Sequence, residues 1–127
     1  MREIYLSYLG KFLNKSKRDR IIYELKSKTK QQSAFSKMAD FANIFDKNCV
    51  IMDLSHFEDD KAIKNIEKYV DKTDCYDLLQ DEITSIEKAY QRAVNSYMPN
   101  VLIVSEKSVI YIGECEIGAS EKYILKK

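Results

Sequence analysis

The 127-residue sequence predicts an α+β fold: N-terminal helices, then a small mixed or antiparallel sheet ending in a C-terminal β-hairpin, with the helices packed on one face. Three observations predict it. Apolar residues recur at three- and four-residue spacing through the first half. After Pro99 the chemistry changes to β-branched runs. Nearly half the residues are hydrophobic and only four are Gly or Pro, a globular composition for one domain, 1–127, with a helical half at about 1–47 and an α+β half at about 48–127.

Taken in order, Tyr5, Leu6, Leu9, Phe12 and Leu13 mark a first helix that Gly10 weakens. Ser16 is a cap candidate for a second, whose Ile21, Ile22 and Leu25 face inward. Ala34, Phe35, Met38, Phe41, Ala42 and Phe45 continue the stripe, with Ser33 as a cap. Lys17 to Phe45 thus reads as one helix or two, the polar KTKQQS segment suggesting a break. The run Cys49 to Leu54 reads as a strand, and Asp59 caps a helix carrying Ile63, Ile66, Tyr69 and Val70. DCYDLL is a short strand candidate. Leu79, Ile83, Ile86, Tyr90, Ala93, Val94 and Tyr97 form one helical stripe, capped by Asp77 or Asp81 and closed by Pro99.

Val101 to Val104 are four consecutive apolar residues, the pattern of a central strand covered on both faces. A Glu106–Lys107 turn leads to a second run through Val109 and Tyr111, and Gly118 and Ser120 turn the chain into a last strand, Tyr123 to Leu125.

Net charge is only +1 but is unevenly spread. Residues 1–40 carry ten basic and four acidic side chains, and residues 41–90 carry six basic and twelve acidic. Lys11 to Gln32 alone holds eight Lys and Arg against one Asp and one Glu. Lys11, Lys15, Lys17, Arg18 and Arg20 are the candidates to hold phosphate or an acidic partner; the plainer reading is a solvated helix face. Glu58, Asp59, Asp60, Asp74, Asp77 and Asp81 are candidates to meet a basic partner, against a plain reading as capped, solvated helix starts.

Catalytic chemistry has few footholds. The one histidine, His56, stands beside Glu58, Asp59 and Asp60, but the loop has no glycine for a metal-binding turn. Cys49, Cys75 and Cys115 are odd in number, lack a CxxC spacing and sit among strand-like residues, so they read as small buried hydrophobes in a reducing cytoplasm. No glycine-rich loop precedes a helix, which disfavours a phosphate-binding fingerprint. No cofactor is implied. No apolar run approaches the roughly 20 residues of a membrane span. Lysine outnumbers arginine 17 to 4, which suggests an AT-rich, bacterial source.

Nine tyrosines and no tryptophan add a hint of a protein interface. The expected function is a small cytoplasmic, non-enzymatic binding protein acting through protein–protein contact, as an inhibitor, immunity-type or regulatory module. Nucleic-acid binding through the basic N-terminal third is the alternative. A homodimer through an open edge of the final strands is a further expectation, unless Lys122, Lys126 and Lys127 block it.

Overall fold

The computed structural model describes residues 2–114 and 121–127. It begins with four helices: α1 (Arg2–Gly10), α2 (Lys15–Lys26), α3 (Gln31–Met38) and the single turn α4 (Phe41–Ile44). There follow β1 (Val50–Asp53), α5 (Asp59–Val70), β2 (Asp74–Asp77), β3 (Glu82–Ser85), α6 (Ile86–Val94), β4 (Asn100–Ser105), β5 (Ser108–Ile112) and β6 (Lys122–Lys126). The six strands form one open antiparallel sheet in the order β1-β6-β5-β4-β2-β3. The α+β class is therefore as expected.

The helices do not share one face. Val101, Ile103, Val109, Tyr111 and Leu125 point into a core with α1 to α4, whereas Leu102, Val104, Ile110, Ile112 and Ile124 point into a second core with α5 and α6. Successive side chains alternate across a strand, so the unbroken apolar run in β4 demands cover on both sides. The run itself carried that information.

Between Lys17 and Phe45 there are three helices. The chain leaves the helical path at Ser27–Lys30, as the polar segment suggested, and again at Ala39–Asp40. Tyr111 fixes the second break, since its Oη donates to the Met38 carbonyl at 2.7 Å from within a stack of Phe41 and Phe45. Ser16, Ser33 and Asp59 lie inside their helices and not at the caps.

The helix expected from Leu79 starts only at Ile86, where the Ser85 hydroxyl accepts from Lys88 N at 3.1 Å. Residues 82–85 pair with β2 instead, across a tight turn in which Asp81 adopts φ 54°. Ile83 and Tyr97, read as core, are consequently 49 % and 82 % exposed.

The β4–β5 hairpin turns at Glu106–Lys107 as predicted, with Ser105 opposite Ser108. β6 pairs with both β5 and β1, so the final strand is interior and the open edges are β1 and β3. The expected dimer edge on the last strands is therefore absent, and Lys122 and Lys126 do not guard an edge. The Gly118–Ser120 turn and Cys115 lie outside the described residues.

Candidate functional site

The basic stretch becomes α2 and its flanks. Ile21 and Leu25 are buried as expected, but the third inward residue is Glu24, 2 % exposed, while Ile22 is only half-buried. Helical spacing places position 24 on the inner stripe beside 21 and 25. A carboxylate there needs charged partners. Lys37 Nζ of α3 reaches its two oxygens at 3.0 and 2.7 Å, and Arg20 Nε, one turn earlier, reaches Oε2 at 2.7 Å. The two cations clip α2 to α3.

That clip has a pH signature. The Lys37 hydrogen bond first, and the Arg20 bond second, hold the Glu24 carboxyl below its ordinary value of 4.5. A depressed folded value adds stability that is fully present above the unfolded value and is lost as pH falls through the folded one. Glu24→Gln is expected to be less stable than wild type at pH 7, with the gap in urea midpoints closing below about pH 4. A gap of equal size at pH 7 and pH 3 would contradict the assignment.

The five basic candidates are not gathered into one stripe. Lys11 pairs with Glu106 at 3.3 Å, both exposed. Lys17 and Arg20 flank a shallow depression of about 330 Å³ shared with Lys37 and Asn43. Arg18 points to the other side of α2, over Gly10 of α1, and lines a separate groove of about 470 Å³. Lys15 is exposed at the first residue of the helix, and Asn14 before it makes no cap because its amide donates to the Asn43 carbonyl at 2.8 Å.

The acidic candidates also separate. Glu58, Asp59 and Asp60 are exposed at the start of α5, where the helix dipole favours them, and Tyr90 Oη donates to Asp59 at 3.3 Å. Asp74 is exposed at the start of β2. Asp81 accepts from Tyr76 Oη and pairs with Arg2 at 3.3 Å. Asp77, unlike the other five, is not on the surface. It is fully buried, receives Asn100 Nδ2 at 2.7 Å, Gln80 N at 3.1 Å and Arg92 Nη2 at 2.8 Å, and cannot face a partner.

Sequence reasoning missed Glu24, Lys37, Arg92 and Asn100 as a group. Helical spacing pointed to the first; Lys37 comes from the next helix, beyond the break at Ser27–Lys30, and Arg92 and Asn100 reach Asp77 from α6 and β4, beyond β3.

His56 is exposed, in the loop between β1 and α5. The neighbouring Asp53 carboxyl accepts from Ser55 N at 2.8 Å and is lowered chiefly by its bonds to Ser55. Cys49 and Cys75 are free and buried; burial raises both thiols, that of Cys75 to about 12, which opposes the reactive thiolate. Among the described residues no three His, Cys, Asp or Glu side chains gather closely enough to hold a metal ion. Of the nine tyrosines, Tyr76, Tyr90 and Tyr111 are core, and Tyr23, Tyr69 and Tyr97 are exposed.

No helix of the described residues is long and apolar enough to cross a membrane. No family model matches the chain, and no curated protein or solved structure matches it either.

Proposed function

We propose that this chain is a non-enzymatic binding protein that acts through contact with another protein, its basic helical layer meeting an acidic partner as an inhibitor, immunity-type or regulatory module does. The carrying observation is the partition of charge between layers. Residues 1–47, which supply α1 to α4, hold eleven basic and five acidic side chains; residues 48–127 hold ten and fifteen. A layer of net +6 over a remainder of net −5 steers an acidic surface to one side of the molecule. Exposed tyrosines on both halves suit protein contact. Buried unpaired thiols fit a reducing, cytoplasmic setting.

Nucleic-acid binding is the second reading, favoured by Lys15, Lys17, Lys26 and Lys28, which have no ion-pair partner among the described residues. It ranks lower because Lys11, Arg20 and Lys37 are already paired with carboxylates. A helix that grips phosphates leaves such groups free and along one stripe.

Two measurements decide between the readings. Labelled DNA and RNA are titrated by anisotropy at low and moderate salt, with no salt-sensitive binding expected. Affinity capture then uses wild type and the triple variant Lys15→Glu/Lys17→Glu/Lys28→Glu as baits. One protein partner is expected that reassembles with wild type from purified components and binds the variant at least about tenfold more weakly. Micromolar nucleic-acid binding that falls steeply with salt would replace the first reading with the second.

A further inference from the structure

We draw no further inference here: the strongest candidate, the shallow depression between α2, α3 and α4 rimmed by Lys17, Arg20 and Lys37, belongs to the basic layer already described, and with Arg20 and Lys37 engaged by the buried Glu24 and Asp40 also at the rim, nothing in the structure shows what covers it.

Discussion

Replacing Asp77 with alanine is expected to remove about 3–5 kcal/mol of folding stability, measured as the shift of the urea unfolding midpoint multiplied by the m-value. The carboxylate lies at the end of β2 with none of its surface exposed. One oxygen accepts from Asn100 Nδ2 and from Gln80 N, and the other accepts from Arg92 Nη2 of α6. Asn100, itself buried, uses its carbonyl oxygen to accept from Leu79 N at 2.9 Å. One side chain thus sets the β2–β3 turn, the start of β4 and the outer face of α6. With alanine there, Arg92 keeps only Glu82 on the surface, and the Asn100 amide is left buried without its acceptor. A buried donor stripped of its partner forfeits its hydration with no return.

The asparagine variant separates charge from shape. Asp77→Asn keeps an oxygen for Gln80 N and Asn100 Nδ2 but turns an amide NH2, itself a donor, toward Arg92 Nη2, so the arginine bond is lost while the other two stay, and a smaller loss of about 1–3 kcal/mol is expected. If Asp77→Ala were within about 1 kcal/mol of wild type, the desolvation of the carboxylate would have to cancel the whole network, as it does for some buried ion pairs.

Asp77 also shows where sequence reading stops. DCYDLL was legible as a strand, but period-two alternation does not say which strand will lie beside it. Burial of Asp77 follows from β2 pairing with β4, where Asp77 stands opposite Leu102, across the whole of β3 and α6. The turn at residues 78–81 needs Asp81 at φ 54°, a conformation that Asp tolerates better than most residues, yet nothing in Leu-Leu-Gln-Asp announces it. Hence a helix was expected to begin seven residues too early. The two-sided cover of the sheet was legible in Val101–Val104 and in the strong amphipathic stripes of α5 and α6. What could not be read was that the N-terminal helices take one face and leave the other to α5 and α6. Glu24 lay between these cases: its spacing put it inward, but Lys37 was needed to make a buried carboxylate credible.

The second large effect is expected at Phe45, where alanine should cost about 3–5 kcal/mol. The ring is fully buried, stacked on Phe41 at 5.1 Å between centroids and edge-on to Tyr111 of β5 at 5.0 Å. Its backbone bridges Leu13, with Asn14 N bonded to the Ile44 carbonyl at 2.8 Å and Asp46 N to the Phe12 carbonyl at 2.9 Å. The exit of α4, the link between α1 and α2, and the central sheet therefore meet at one side chain. Alanine opens a cavity there that the clamped backbone cannot easily close, whereas Phe45→Leu fills much of it and should cost less than about 1.5 kcal/mol. Hydrogen exchange adds a second readout. If α1 to α4 open as a unit, amide protection in those helices should fall further in Phe45→Ala than protection in α5 and α6. Equal loss in all six helices would mean that the two cores unfold only together. The distinction bears on the proposed function, because the net +6 of residues 1–47 would steer a partner as one layer only while the first helices stay docked on the sheet.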